Sequence, residues 1–338
     1  MYWYEAKGED DSLVLSTRVR FARNLENTPF PDHLSEAGRK KVFNSVAEAF
    51  REDNLMVVPF DGLDAVEKGA YVDTHLASRR LAEDRDGAGL LLSRDGALSV
   101  MINEEDHLRI QVIERGKQVR EAFDMAVAWA KKAEEKLPIA YRARLGYLTA
   151  CPTNLGSAMR VSVLIHLPAL TAAGAMPPLV SALGNAGFAV RGFFGEGSRE
   201  SGDLYQISNQ MSREMAPATI IDAFDVALTH IEEEETKARR ALLSRDRIFW
   251  EDRVMRAIGK MRYARKISYD EFIRLYSSIR FGKEAGVAEA VRIDGLDRLL
   301  IELMPASMIL RDRTLSHAPE RDVRRSEILR DAIKQSEQ

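Results

Sequence analysis

A chain of 338 residues is long enough for two domains, and its formal net charge of −3 excludes the general positive field of a nucleic-acid binder while leaving room for a local cationic pocket. One cysteine, Cys151, excludes an internal disulfide and a cysteine-rich metal centre. No basic segment followed by an apolar run opens the sequence, and no stretch reaches the ~18 apolar residues of a membrane span; the nearest, 169–183, is broken by Pro177 and Pro178, so a cytoplasmic location is expected.

In chain order, 13–23 reads as a strand rich in Val, Leu, Thr and Phe. A meander follows over 89–114: strands at 89–93, 97–103 and 107–113, the first two joined by the Asp95-Gly96 turn that hairpins favour. A helix is predicted over 118–136 with Ala122, Met125, Ala126, Trp129 and Ala133 on its buried face. Strands are expected at 145–149, 160–167, 188–194 and 203–208, and a proline-broken helix over 168–186. The short gaps favour antiparallel pairing. The longest helix, 220–243, carries the run Glu232 to Glu235 followed by Lys237, Arg239 and Arg240, read as a solvated face of acid-to-base pairs. Beyond 245 only helices are predicted: 249–263, one opened by a capping box at Ser268 and Glu271, 296–304 and 320–332. The fold class is therefore α+β: a large antiparallel sheet flanked by helices (1–245), then an all-helical C-terminal domain (246–338).

Four segments hold residues suited to chemistry. In Ser16-Thr17-Arg18-Val19-Arg20 the two arginines share one face of a strand. Adjacent guanidiniums repel unless an anion sits between them, and the guanidinium fork matches phosphate oxygens; a solvent-facing edge is the plainer meaning of such a pair. Asn103-Glu104-Glu105-Asp106-His107-Leu108-Arg109 places three acids at a turn, suited to Mg²⁺ or a guanidinium, or simply to a polar surface. Cys151 lies in the loop 151–159 between two strands, as a buried hydrophobe or as a thiolate near cations. Arg191-Gly192-Phe193-Phe194-Gly195-Glu196-Gly197-Ser198 has glycines around a glutamate, a weak anion-loop pattern. Phosphate-loop, protein-kinase, dinucleotide and zinc-protease motifs are absent.

Taken together and in this order, these segments, with Cys151-Pro152-Thr153-Asn154-Leu155-Gly156 for the third, resemble the guanidino phosphotransferase (phosphagen kinase) family over about 13–220. A helical domain after the catalytic one, rather than before it, is similar to the bacterial protein arginine kinase branch. So is Arg321-Asp322-Val323-Arg324-Arg325-Ser326, where that branch has Arg-Asp-x-x-Arg-Ala.

The resemblance implies transfer of the ATP γ-phosphate, with Mg²⁺, to arginine side chains of proteins. It implies a nucleotide site of Ser16, Thr17, Arg18, Val19, Arg20, His75, Arg109, Arg160, Val161, Ser162, Val163 and Leu164, completed by Arg191, Gly192, Phe193, Phe194, Gly195 and Glu196. Glu105 would grip the acceptor guanidinium and take its proton, with Glu104, Glu196 and Cys151 beside it. Residues Arg321, Asp322, Val323, Arg324, Arg325 and Ser326 would form a regulatory phosphoarginine pocket. By the same resemblance, expected partners are an activator protein, a heat-shock repressor as substrate, a Clp-type unfoldase–protease in a stress response, and a second copy in a homodimer. No nucleic acid and no membrane are expected. Two departures, Gly156-Ser157-Ala158-Met159-Arg160 for Gly-Thr-Gly-Leu-Arg and the run 211–217 after Asn209-Gln210, bear on substrate detail. A phosphagen kinase acting on free arginine and a phosphoarginine reader with weak activity are the competing expectations.

Overall fold

Along β1 (Val14–Arg23) burial alternates: Thr17, Val19 and Phe21 are buried, while Ser16, Arg18 and Arg20 stand on the other face, half-buried. This is the period-2 pattern of a strand with one face on an apolar layer. The structure is a computed structural model describing residues 2–5, 13–83, 86–193, 202–210, 216–287 and 293–336.

After β1 come α1 (Glu36–Ala49), β2 (Met56–Pro59), α2 (Ala65–Asp73), α3 (Arg79–Ala82), β3 (Gly89–Leu92), β4 (Leu98–Ile102), β5 (Leu108–Arg115) and α4 (Val119–Lys136). Next are β6 (Tyr141–Arg142), β7 (Gly146–Tyr147), β8 (Met159–His166), α5 (Pro168–Ala172), α6 (Met176–Asn185), β9 (Phe188–Gly192) and β10 (Leu204–Asn209). The remainder is helical: α7 (Pro217–Arg245), α8 (Arg247–Tyr263), α9 (Tyr269–Glu284), α10 (Ile293–Glu302), α11 (Pro305–Arg311) and α12 (Ala318–Ser336). No helix is long and apolar enough to cross a membrane among the described residues.

The large sheet has the order β2-β3-β4-β5-β1-β8-β10-β9. Pairing is antiparallel from β2 through β3, β4 and β5 to β1, and the short connections of β3 to β4 and β4 to β5 allow no other. The expected strand at 145–149 shrinks to β7, paired only with β6 in a two-residue ribbon. Its residues serve loop closure instead: Tyr147 N–H donates to Gly156 O at 2.9 Å, and Gly156 N–H to Leu145 O at 3.0 Å. Gly146, at φ 76°, lies so close to Gly156 that an added Cβ would meet its carbonyl oxygen at 2.3 Å. A side chain there would force the Cys151 loop open.

The described residues fall into two compact units, one of 1–7, 16–163 and 208–225, the other of 8–15, 164–207 and 226–338. In the first, α4 lies on β5 through Ala122, Ala126, Ala130 and Ala133, all buried, whose small side chains let the backbones approach. Met125, expected on that face, is exposed, and the Trp129 ring lies 6.1 Å from that of Phe50 at a tilt of 42°. In the second unit, α8, α9, α10 and α12 share a core of Val254, Met261, Phe272, Tyr276, Leu299 and Leu329. Gly282 is required there, because an added Cβ would meet Val254 Cγ1 at 2.4 Å.

The charge run of α7 is not a uniformly solvated face. Glu235 is fully buried, and its carboxylate accepts the N–H groups of Ala169 (2.8 Å) and Leu170 (2.9 Å) in the first turn of α5. It supplies the N-terminal cap that Leu167 cannot, and burial pushes its carboxyl up to about 7. Arg239 turns inward onto Glu284. At the start of α9, Ser268 Oγ accepts Glu271 N–H at 3.2 Å, but the Glu271 carboxylate pairs with Lys260 at 2.5 Å instead of closing the box.

Candidate functional site

Arg18 and Arg20 stand on the half-buried face of β1, opposite Ile113 and Gln111 of β5. Arg109, opposite Ala22, points to the same face, since cross-strand partners share a side. Arg160 on β8 donates to Ser208 Oγ at 3.2 Å, and Arg18 Nε to Ser162 Oγ at 3.4 Å. The charges of Arg109 and Arg160 bear on Arg18 and Arg20. Burial, then Arg109 and Arg160, bring Arg18 down to about 10; burial, then Arg18, Arg109 and Arg160, hold Arg20 well below its ordinary value. Arg20 Nε is buried with no hydrogen-bond partner. A half-buried cationic cluster of this kind is stabilised by a polyanion, and a nucleotide polyphosphate has the matching charge and oxygen geometry.

Around the arginines, Thr17 is structural: its hydroxyl donates to Gly116 O at 2.7 Å and accepts Gln118 N–H at 3.1 Å, tying β1 to the start of α4. Val19, Val161 and Val163 are buried core residues that set strand spacing. His75 sits at φ 60° with its ring 6.2 Å from that of Trp3. Burial and Arg18 lower its imidazole to about 4, so it is neutral at pH 7. Leu164, Arg191, Gly192 and Phe193 belong to the second unit, where Phe193 is in the apolar core. Phe194, Gly195 and Glu196, and the run 211–215, lie outside the described residues.

The acidic turn joins β4 to β5 and divides its labour residue by residue. Asn103, at φ 58°, donates to Gly87 O (2.6 Å) and Arg39 O (2.8 Å). Glu104 is almost wholly buried, accepts the Ser78 hydroxyl at 2.6 Å, and pairs with Arg109 at 2.9 Å. Asp106 Oδ1 accepts Asn24 Nδ2 (2.6 Å) and Ala150 N–H (2.8 Å). His107 Nδ1 accepts Leu25 N–H at 3.0 Å, which leaves the proton on Nε2 to donate to Pro29 O at 2.9 Å. Glu105 alone reaches outward: its carboxylate is 28% exposed and 3.1 Å from Arg109 Nη2. Burial first, then neighbouring Asp106 and Glu104 against the pull of Arg109 and Arg80, raise its carboxyl above the usual range. A raised carboxyl is a better proton acceptor once ionised.

Cys151, half-buried, heads the short turn 152–154, with Sγ 3.0 Å from Thr153 Oγ1. Asn24, Ser78 and Ser208 emerge from the structure as supports of the site that sequence reasoning missed. Only Asn24, next to the arginine run, had any local signal.

The tail residues 321–326 open α12. Arg325 is buried and donates to Leu303 O (3.2 Å), Ile267 O (2.9 Å) and Asp322 Oδ1 (2.7 Å). Ser326 Oγ, also buried, donates toward Arg265 O and Val323 O. Arg321 Nη1 donates to Ser316 O at 2.6 Å, Arg324 is exposed beside Glu327, and Val323 is exposed.

The chain matches the profile of the ATP:guanido phosphotransferase C-terminal catalytic domain over residues 38–238, and that of the McsB protein-arginine kinase C-terminal domain over 247–338. It is 36% identical over 332 residues to a protein-arginine kinase of Halothermothrix orenii, covering 97% of this chain and 95% of that one. It is 37% identical over 335 residues to a protein-arginine kinase of Symbiobacterium thermophilum, with the same coverage. Among solved structures it superposes on lombricine kinase with TM-score 0.61 at 21% identity, covering 68% of each chain. It superposes on the duplicated taurocyamine kinase of Schistosoma mansoni with TM-score 0.60 at 23% identity, covering 69% of this chain and about a third (35%) of that one. These two likenesses show a shared fold.

Proposed function

The chain belongs to the protein-arginine kinases of the ATP:guanido phosphotransferase family, and from that premise we propose how its residues move the ATP γ-phosphate onto arginine side chains of proteins. The observation that carries the mechanism is Arg109. Its Nη1 holds Glu104 at 2.9 Å and its Nη2 holds Glu105 at 3.1 Å, while its charge bears on Arg18 and Arg20. A cationic half and an acidic half therefore meet at one guanidinium.

Phosphoryl transfer asks a protein chiefly for positioning and charge neutralisation. Arg18, Arg20, Arg109 and Arg160 hold the phosphates and offset their charge. The acceptor guanidinium, whose pKa exceeds ~12, has no free lone pair while protonated. Glu105 orients it bidentately and accepts its proton as the N–P bond forms and the bond from the γ-phosphorus to the bridging oxygen breaks, with ADP as the leaving group. Arg109 keeps Glu105 aimed at the donor phosphate. Cys151 lies beside the acceptor.

The described residues contain no group of three or more metal ligands. Mg²⁺, which is commonly held by substrate phosphates and one or two carboxylates, would supply further charge neutralisation on the nucleotide phosphates.

We take 1–245 as the catalytic domain and 246–338 as the domain for dimerisation and regulation. Residues 321–326 are kept as the phosphoarginine pocket, in which Arg325 and Arg321 are held by backbone carbonyls and Arg324 is exposed. A cytoplasmic stress-response role, with an activator protein, a heat-shock repressor as substrate and a Clp-type protease receiving the marked proteins, completes the reading.

The test is incubation with Mg·ATP and two acceptors, free L-arginine and casein, read by ³¹P NMR and mass spectrometry. Acid-labile phosphate on casein arginines, with none on free arginine, is the expected result. Label on free arginine alone would overturn the protein acceptor.

A further inference from the structure

The groove between α8 and α9 has no part in the chemistry above. It holds about 650 Å³. Four cations line it, Arg253, Arg256 and Lys260 from successive turns of α8 and Arg274 from α9. Two carboxylates, Asp203 and Asp252, line it as well, which leaves two positive charges in excess.

The acids are already engaged. Asp252 pairs with Arg256 at 2.6 Å, and Asp203 accepts the Ser277 hydroxyl at 2.5 Å. Lys260 reaches Glu271. Arg253 and Arg274 have no carboxylate within ion-pair distance among the described residues. The Arg253 guanidinium lies over the Trp250 ring at 5.3 Å and touches Ser278 Oγ at 3.4 Å. The Trp250 face fixes its plane, and its remaining N–H donors are left for a ligand. Arg274 is exposed.

Apolar surface lies between these cations. Phe249, 56% exposed, lines the groove together with Ala257 and Leu275. A groove that alternates unpaired guanidiniums with an exposed aromatic is complementary to carboxylates flanking an apolar side chain. An inorganic phosphate would use the cations and leave the apolar half untouched.

We propose that the α8–α9 groove docks an acidic segment of protein substrates, with carboxylates on Arg253 and Arg274 and one apolar side chain on Phe249 and Leu275. This rests on the protein-acceptor reading above and adds substrate selection to it. The acceptor arginine is basic, so Glu105 cannot select for acidic sequence around it; a separate cationic groove can. Proteins with acidic stretches would be held at the kinase while their arginines reach the site.

The test uses the full-length chain and a fluorescein-labelled peptide, Glu-Glu-Leu-Glu-Glu-Phe, read by anisotropy without nucleotide. Binding that weakens with salt is expected. Arg274→Glu, and separately Arg253→Gln with Arg274→Gln, should weaken it on the order of tenfold, since one or two partly exposed charge contacts are lost or reversed. The same variants should raise KM for casein with kcat unchanged, while a short basic arginine peptide keeps its KM.

Unchanged peptide affinity in Arg274→Glu, whose side chain is exposed and outside the core, overturns the proposal. Displacement of the peptide by inorganic phosphate at comparable concentration overturns it in favour of a phosphate site. If casein is not phosphorylated at all, the protein-acceptor reading fails by itself, and the anisotropy still decides the groove.

Discussion

The backbone N–H of Ala150 donates to Asp106 Oδ1 at 2.8 Å, which fastens the residue before Cys151 to the acidic turn that carries Glu105. Asn24 Nδ2 adds a second bond to the same oxygen at 2.6 Å. Asp106→Ala leaves both donors unsatisfied in a buried place, at a cost of ~1–3 kcal/mol. Denaturant unfolding should show that loss, and kcat should fall with it as the turn and the loop separate. Full stability in the variant would mean that the two segments are held by other contacts.

Glu105→Gln keeps the shape of the site and removes the proposed proton acceptor. Turnover should fall by ~10²–10⁴-fold, the usual scale for a lost general base. Isothermal calorimetry should find ATP affinity nearly intact, because the phosphate-facing arginines are untouched. Near-normal turnover would remove Glu105 from the mechanism.

Arg20→Met replaces a half-buried cation, whose Nε has no hydrogen-bond partner, by an apolar chain of similar length. The nucleotide-free protein should become more stable, because the repulsion and the desolvated Nε disappear together. The stabilisation that saturating ATP gives the parent chain should shrink markedly. Thermal scans with and without ATP measure both; a destabilised apo variant would mean that Arg20 is compensated within the protein.

His75 gives a pH signature whose sign is fixed by its lowered imidazole. The unfolded chain takes up a proton near 6.5, but the folded chain only near 4. Between those values the unfolded state binds more protons, so stability is lost as pH falls from about 6.5 toward 4, and no such term exists above 6.5. His75→Gln should show a shallower decline over that window than the parent chain. Parallel stability curves would place the imidazole in contact with water.

Arg325→Ala should destabilise the helical region by several kcal/mol, in the range seen when one partner of a buried charged network is removed (~3–5 kcal/mol). The carbonyls of Leu303 and Ile267 lose their donor together, and α12 loosens from the loop before α9. Urea unfolding measures this, and Arg324→Ala, whose side chain is exposed, serves as the control with little effect.

The strand carrying Arg18 and Arg20, the three-strand meander and the helices after 245 were legible because each shows its period in the sequence. Helix α1 was not: only Val42, Phe43 and Val46 are buried along its fourteen residues, too narrow a stripe to stand out. The short edge strand β2 has mostly exposed residues, Met56 and Val57 among them, and so lacks the alternation that marks a strand. Within the site, the acids and arginines stood out as residue types, but Ser78 and Asn24 did not. A hydroxyl or amide that holds a carboxylate from a distant segment has no local spacing to betray it. Glu235 was misread for the related reason that one acid in a run of four turns inward to cap a helix more than sixty residues earlier in the chain.

Four of the five residues in the 103–107 turn are occupied in building it: Asn103, Glu104, Asp106 and His107 each bind backbone or side chains of other segments, and Glu105 alone faces out. The turn is thus an architectural signature with a single chemical letter inside it. A relative that had lost catalysis through that one position would keep the other four under the pressure of folding, and would still be recruited to this family by pattern. For assigning activity to any such chain, the identity of the residue at the second glutamate is informative in a way that the surrounding motif, however complete, is not.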